Sequence, residues 1–412
     1  MNTPSAGLRQ YLIVTAAYWS FTLTDGALRM LVLMHFFRLG YSPFTLAFLF
    51  LLYEAAGIAA NLIGGWLATR YGIARMLMVG LSTQIVGFLL LAAISPDWTV
   101  ALSVTWVVVC QGICGIAKDL TKTASKSAIK VTAGEASGRL FRWVAWFTGS
   151  KNAMKGVGFF VGGLLLDAFG FAHALWLMAA LLGIVLIAVV MSLPPMMGKS
   201  KASATVRELF GKKKAINLLA AARIFLFGAR DIWFVVGVPV FLYSQGWNFT
   251  MVGTFMACWT IGYGVVQALA PKLIKRSDDG LKHEVPAARH WSFLLTLVPA
   301  LLAFAVVTGQ QPIEWIVVAG LSLFGIVFAV NSSVHSYLVL AYAGSEKAAE
   351  DVGFYYAANA TGRFIGTLLS GLLFQLGGMS YAMFGSAAML LVCWAITTTL
   401  PSEHSQPHEA LA

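Results

Sequence analysis

Twelve apolar stretches long enough to cross a bilayer as helices, separated by mostly short polar interruptions, fill almost all of this 412-residue chain. They lie near residues 10–33, 43–68, 74–95, 98–117, 142–166, 172–193, 215–243, 249–270, 291–308, 313–341, 352–376 and 380–400. A hydrocarbon core about 30 Å thick needs roughly 20 apolar residues in helical form to span it. A closed strand barrel would instead require period-two alternation, which these stretches lack. The expected fold class is therefore all-α integral membrane, twelve transmembrane helices with no room for a water-exposed domain. Composition agrees: 59% of residues are apolar and 11% charged, and the mean hydropathy is +0.78, values outside those of soluble domains.

Only Arg9 precedes the first apolar run as a basic residue. That run is too long for a secretory leader and has no small-residue cleavage site, so it reads as a retained first helix. Cys110, Cys114, Cys258 and Cys393 all fall inside predicted spans, where no disulfide framework is expected. Cys110 and Cys114 share a helix face, and read as small buried hydrophobes ahead of a soft-metal or trivalent-arsenic site. No catalytic constellation, metal site or cofactor is expected: there is no Ser/His/acid arrangement, no HExxH pair and no phosphate-cradling loop.

Placing both termini in the cytosol puts Arg70, Arg75, the run from Lys118 to Arg142, Lys199 to Lys214, Lys272 to Arg289 and Lys347 on the inner side, leaving Arg38 outside. The positive-inside bias favours this orientation, in a bacterial inner membrane, and makes the net charge of +11 chiefly a topology signal. Contact with lipid, and none with nucleic acid, follows. The longest polar interruption, residues 194–214, reads as a cytosolic basic linker between an N-terminal bundle (1–193) and a C-terminal bundle (215–400), with a cytosolic tail at 401–412. An offset of 206 superimposes Asp25 on Asp231, Gly40 on Gly246, Tyr41 on Trp247 and Arg70 on Arg276. An offset of 208 superimposes Lys155 on Arg363, Gly158 on Gly366 and Gly163 on Gly371. The two sets of six helices read as pseudo-symmetric repeats.

Arg29, Lys151, Lys155, Arg223, Arg230 and Arg363 lie inside these otherwise apolar stretches. A charge at the bilayer centre costs about 2.5–3.5 kcal/mol on insertion scales, so such residues face a watery cavity and mark a path for cargo or ions. Six cations point to an anion. Ionisable residues occur in helices one, two, four, five, seven, ten and eleven and are absent from the interiors of three, six, nine and twelve. Lys155 and Arg363 are expected to grip opposite ends of the cargo, with Lys151 beside the former; Arg offers a forked grip and Lys a mobile point charge. Asp25 is expected to neutralise Arg29 four residues on, whereas Arg230 and Asp231, being adjacent, are expected to point apart and leave Arg230 available. Glu54, without a cation in its own helix, is the first candidate for proton coupling and Asp25 the second, against a structural hydrogen-bonding role; a structural ion pair is the alternative for Asp25 and Asp231. Asn331 and His335, at i and i+4, are placed on the cavity side as ligands for oxyanion or hydroxyl oxygens, with a satisfied helix-packing histidine as the alternative for His335. Lys118, Lys122, Lys126 and Lys130 form a stripe, of which Lys122 is assigned to cargo binding and the whole either to steering an anion inward or to a solvated, lipid-facing surface.

Two motifs carry a family resemblance. Residues 64–72, GGWLATRYG, resemble the G-x-L-A-D-R-x-G loop of the major facilitator superfamily, with Thr69 where that family usually has Asp. The resemblance implies a gating loop in which Gly65 permits close helix packing and Arg70 bridges to a neighbouring helix. Gly158, Gly162 and Gly163 keep the glycine spacing of the family's antiporter motif, with Phe159 in the place of its proline. Longer segments, FTLTDGALRM from Phe21, KDLTKTASKSAIK from Lys118, GSKNAMKGVGFF from Gly149 and FLFGARDIWFV from Phe225, resemble organoarsenical efflux permeases of the ArsJ type within that superfamily. This implies export of 1-arseno-3-phosphoglycerate, hence arsenate resistance, and a metabolic partnership with a glyceraldehyde-3-phosphate dehydrogenase. A facilitator for another phosphorylated or carboxylated anion is the alternative, a transporter-like sensor the remote one; cationic drugs fit poorly. A monomer is expected.

Overall fold

The computed structural model describes residues 4–60, 72–133, 137–194, 213–272, 274, 281–342 and 348–402. Gly65 and Arg70 of the expected gating loop, residues 195–212 of the linker and residues 403–412 of the tail lie outside the described residues, as do the side chains of Lys126 and Lys130.

Among the described residues all regular structure is helical. Helix α1 is Pro4–Arg38. Helix α2 opens with Pro43–Phe48 and forms the span Pro43–Ala60. Then follow α3 (Ile73–Ala92) and α4 (Val100–Ala133). The long stretch Ser137–Ser192 is broken at Gly170, whose φ is 74°, giving α5 (137–169) and α6 (171–192). Helix α7 is the span Lys214–Ser244, with a π turn at Trp233–Gly237. After it come α8 (Phe249–Leu269), α9 (Glu284–Val307) and α10 (Ile313–Tyr342). Ala348–Thr398 is broken at Gly377 and Gly378, giving α11 (348–376) and α12 (379–398). Nine described stretches are long and apolar enough to cross a membrane; the two glycine-broken ones are among them, and α1, which carries Asp25 and Arg29 at its middle, is not. The chain is a multi-pass membrane protein.

The turns that end α1 and α7 are built alike. In each, a helix closes on a glycine with positive φ, Gly40 at 85° and Gly246 at 90°. The next residue sends its N–H back five positions: Tyr41 to the Phe36 carbonyl at 3.1 Å and Trp247 to the Leu242 carbonyl at 3.2 Å. This closure satisfies helix-end carbonyls and needs the left-handed backbone that glycine adopts without strain. The following residue caps the next helix: Ser42 Oγ accepts from the Thr45 N–H at 3.3 Å, and Asn248 Oδ1 from the Met251 N–H at 2.7 Å.

Close helix pairs repeat as well. A Cβ on Gly26 would stand 2.7 Å from the Lys155 carbonyl oxygen, and one on Gly158 would strike the Leu23 carbonyl oxygen, so α1 and α5 touch backbone to backbone. A Cβ on Gly366 would stand 2.5 Å from the Gly228 carbonyl oxygen, so α7 and α11 do the same. In a bilayer, where lipid removes most of the hydrophobic drive between helices, such small-residue contacts supply the packing. Gly163 packs on Phe249 of α8 and Gly371 on Pro43 of α2, joining each pair to the other six-helix set. One turn beyond, Asp167 accepts hydrogen bonds from the Thr250 N–H at 3.1 Å and hydroxyl at 2.6 Å, and Gln375 Oε1 accepts from the Phe44 N–H at 3.1 Å.

Position in the bundle separates the helices. In the most apolar window of α7, 83% of residues are buried, against 28% for α9, whose Leu301, Phe304 and Val307 face outward. Inside α7, Pro239 removes one backbone donor, and the π turn just before it frees others. Ser370 Oγ on α11 accepts from the N–H groups of Val236 at 3.1 Å and Gly237 at 3.3 Å.

Candidate functional site

Among the described residues, a central cavity of about 250 Å³ is lined by α1, α2, α4, α5, α7, α8, α10 and α11, and by no residue of α3, α6, α9 or α12. Those are the four helices whose interiors lack ionisable side chains. The glycine contacts bring Lys155 against α1 and Arg363 beside α7, so the two cations at equivalent sequence positions both reach the cavity. Arg29, Lys122, Lys151, Arg223 and Arg230 line it too, joined by Lys118. Among the described residues, eight cations thus meet three lining carboxylates, Asp25, Glu54 and Asp119.

The pairing differs from what sequence spacing predicts. Arg29 does not pair with Asp25, although they share a helical face; it pairs with Glu54 of α2. Asp25 instead accepts a hydrogen bond from the Tyr53 hydroxyl at 2.5 Å. Helix packing decides this, because Tyr53 and Glu54 of α2 approach neighbouring levels of α1. Glu54, read as a carboxylate without a cation, holds two: the same Oε1 that meets Arg29 accepts from Arg363 Nη2 at 2.6 Å. Arg230, expected to point away from Asp231, folds back onto it, with Nε 2.6 Å from Oδ1. The long Arg side chain reaches around the helix, so adjacency does not keep the two apart. Asp231 also faces Arg363 Nε at 3.3 Å through Oδ2. A chain of alternating charge therefore runs Arg29, Glu54, Arg363, Asp231, Arg230 from α1 to α7. Every member but the two end arginines serves two partners, which is how charges this deeply buried avoid a large desolvation penalty.

The remaining cations are held differently. Arg223 donates to the Ser332 carbonyl at 3.2 Å and hydroxyl at 3.1 Å, and lies 4.0 Å from the ring centre of Phe227 and 4.8 Å from that of Tyr355. Lys118 and Lys122 flank Asp119 at 3.7 and 3.3 Å, and Lys118 sits 3.8 Å from the centre of the Tyr53 ring. Lys155 has no ion pair or hydrogen bond among the described residues; its ammonium lies 5.8 Å from the centre of the Phe159 ring. Such aromatic neighbours stabilise desolvated cations without cancelling their charge.

Asn331 and His335 do not line the cavity. Asn331 is fully buried and exchanges hydrogen bonds with Ser292 of α9, at 3.0 and 3.2 Å. His335 is fully buried, and neither ring nitrogen has a partner among the described residues. The cavity face of α10 carries Ser336, one residue and about 100° further round the helix.

Several lining groups have no earlier reading. Phe227, Phe234, Trp259 and Tyr263 form an aromatic wall. A signal for half of it was present in the sequence: Phe227 and Phe234 are spaced seven apart, as are Arg223 and Arg230, and Arg230 lies over both rings at 5.1 and 5.3 Å. Buried Thr260 Oγ1, Asn359 Oδ1 and Arg223 Nε border the cavity without a hydrogen-bond partner among the described residues.

Residues 11–287 match the family model described as Major Facilitator Superfamily. No curated protein matches the sequence. Solved structures do match in fold. One, described by structural insights into substrate recognition in proton dependent oligopeptide transporters, aligns with a TM-score of 0.72 at 13% identity, over 95% of this chain and 97% of that one. A D-xylose–proton symporter aligns with a TM-score of 0.68 at 12% identity, over 96% and 97%. A POT family transporter in complex with a thioalcohol conjugated peptide aligns with a TM-score of 0.73 at 14% identity, over 95% of each chain. With most of its length matched by the family model, and with its cavity lined by helices of both six-helix sets, the chain belongs to the Major Facilitator Superfamily and is a transporter, not an enzyme.

Proposed function

We propose that this transporter moves a small organic oxyanion through the central cavity by alternating access. The observation that carries the reading is the charge of the lining: among the described residues, eight cations against three carboxylates, with Asp231 as a fourth just behind the wall. A wall that merely pinned helices together would need its charges balanced, and a site for cationic drugs would need the opposite excess. Lys155 and Arg363, one from each six-helix set, bind the two ends of the cargo. Lys151, Lys122 and Arg223 add charge around it, while Thr260 and Asn359 supply neutral hydrogen bonds.

The narrower cargo is 1-arseno-3-phosphoglycerate, carried outward across a bacterial inner membrane with both termini in the cytosol. Two oxyanions on a three-carbon chain suit two separated cationic grips in a compact cavity, and the four segments resembling ArsJ-type permeases contribute Asp25, Arg29, Lys118, Lys122, Lys151, Lys155 and Arg230 to it or to its border. On this reading a glyceraldehyde-3-phosphate dehydrogenase makes the cargo, and export confers arsenate resistance. The aromatic wall favours a second cargo of the same charge class, a phosphorylated or carboxylated anion with an apolar body.

The test is growth on arsenate of a sensitive bacterium carrying this chain with and without a matching glyceraldehyde-3-phosphate dehydrogenase. Resistance that needs both, with arsenate appearing outside the cells, supports the narrow cargo. Failure from well-inserted protein overturns it. Uptake of 3-phosphoglycerate into proteoliposomes then decides the broader reading, which falls if neither this anion nor an aromatic carboxylate competes for transport.

A further inference from the structure

We propose that Glu54 is an internal stand-in for the cargo: in the empty carrier its carboxylate ties the two six-helix sets together through Arg363, and an entering oxyanion takes Arg363 away from it. The inference rests on the oxyanion reading above and adds how the cavity registers that it is filled.

The geometry carries it in three steps. First, Glu54 Oε1 is shared by Arg29 of α1, in its own set of helices, and Arg363 of α11, in the other, so it is a bridge between the parts that must separate. Second, the bridge can be exchanged on one side without stranding a buried charge. If Glu54 releases Arg363, it still has Arg29; if Arg363 releases Glu54, its Nε still faces Asp231 at 3.3 Å. Removing one partner from an isolated buried pair costs about 3–5 kcal/mol because a naked charge remains, and the second partners here avoid that. Third, exposure decides which side is exchanged. The Arg363 side chain is 19% exposed, Arg29 8% and Glu54 2%, so an anion in the cavity reaches Arg363 before either of the others. Lys155 lines the same space without an ion pair among the described residues, available for the other end of the anion.

The device is one-sided. Thr260 occupies the position on α8 that the 206-residue offset assigns to Glu54, and it carries no charge. A structural cross-brace required by the repeat would be expected in both copies; a reporter of cargo is needed once.

Glu54→Gln in the full chain, reconstituted in nanodiscs, separates this device from a purely structural ion pair. Spin labels at Leu39→Cys and Leu376→Cys, both exposed, would report the separation of the two sets, in a background with the exposed Cys258 changed to Ser. If the bridge holds about nine empty carriers in ten, its loss should broaden the distance distribution without any ligand. It should also tighten binding of 3-phosphoglycerate, measured calorimetrically, by about tenfold. Glu54→Asp, which keeps the charge on a side chain one methylene shorter, should lie between, and serves if the Gln variant does not fold. Unchanged distances in the empty variant, or binding that is equal or weaker, would overturn the proposal. Broadened distances with no binding of 3-phosphoglycerate or inorganic phosphate by either protein would overturn the oxyanion reading and the displacement step with it, leaving only the bridge.

Discussion

The turn between α1 and α2 and the turn between α7 and α8 are nearly the same object, whereas the cavity walls those helices support are not. Gly40, Tyr41 and Ser42 correspond to Gly246, Trp247 and Asn248 in position, backbone closure and cap. The contacts of Gly158 with α1 and Gly366 with α7 correspond as well. In the cavity, by contrast, Lys155 stands opposite Arg363, Lys151 opposite Asn359 and Glu54 opposite Thr260. One of the two equivalent cations lacks an ion pair among the described residues, and the other is held by two carboxylates. The repeat preserves what builds helices and lets them touch, and diverges where a molecule is handled. Divergence between equivalent positions is thus a guide to function in a duplicated fold.

The largest effect should come from breaking what is shared. Gly158→Val and Gly366→Val each drive a side chain into a neighbouring backbone, a strain of about 3 kcal/mol or more that has no flexible side chain to relax into. Neither variant should give a monodisperse protein by size-exclusion chromatography. A Gly366→Val protein melting within a few degrees of the parent would show that the two contacts are not equivalent.

Next come the unequal cations. Arg363→Ala should abolish transport, by about a hundredfold or more, and destabilise the protein by less than the roughly 3–5 kcal/mol of an isolated buried pair, since Glu54 keeps Arg29 and Asp231 keeps Arg230. Lys155→Ala should lower transport by at least about tenfold while changing stability by no more than about 0.5 kcal/mol. Proteoliposome uptake and thermal melting, read together, check the contrast; equal destabilisation by both would remove the asymmetry. Swapping residue type is a finer probe. Arg363→Lys should cost about tenfold in transport, because an ammonium cannot present a fork to Glu54 and Asp231 at once. Lys155→Arg should stay within about threefold.

The smallest effects belong to the paired helix-start contacts. Asp167→Ala and Gln375→Ala each remove an acceptor from a backbone N–H and should cost about 1 kcal/mol. Gln375→Glu, which makes the second contact resemble the first, should leave the melting temperature nearly unchanged. A loss there exceeding that of Gln375→Ala would mean the two ends are not built alike.

The helical class, the repeat and the convergence of the buried cations on one cavity were all legible in the sequence, because each depends on local pattern. Apolar run length makes spans, glycines at equal offsets make equal contacts, and a charge in an apolar helix has only a watery cavity to face. Who pairs with whom was not legible. Asp25 and Arg29 have the spacing of a pair within one helix, yet the approach of α2 gives each a partner there. Asn331 and His335 turn away from the cavity for a related reason. Both ends of α10's circumference carry polar residues, and only the position of α9, where Ser292 meets Asn331, shows which side is inward. The aromatic wall escaped notice because Phe and Trp in an apolar helix look the same whether they meet lipid or cargo.

The excess of positive charge in the cavity has an electrical consequence. An empty carrier that reorients moves part of this charge through the membrane field, and a whole elementary charge crossing 100 mV is worth about 2.3 kcal/mol. Where one side of the membrane is negative, the field draws the empty, positive cavity toward that side, and an anion that neutralises the lining loosens that hold. On the oxyanion reading proposed above, the same lysines and arginines that attract the cargo let the membrane potential reset the carrier after each release.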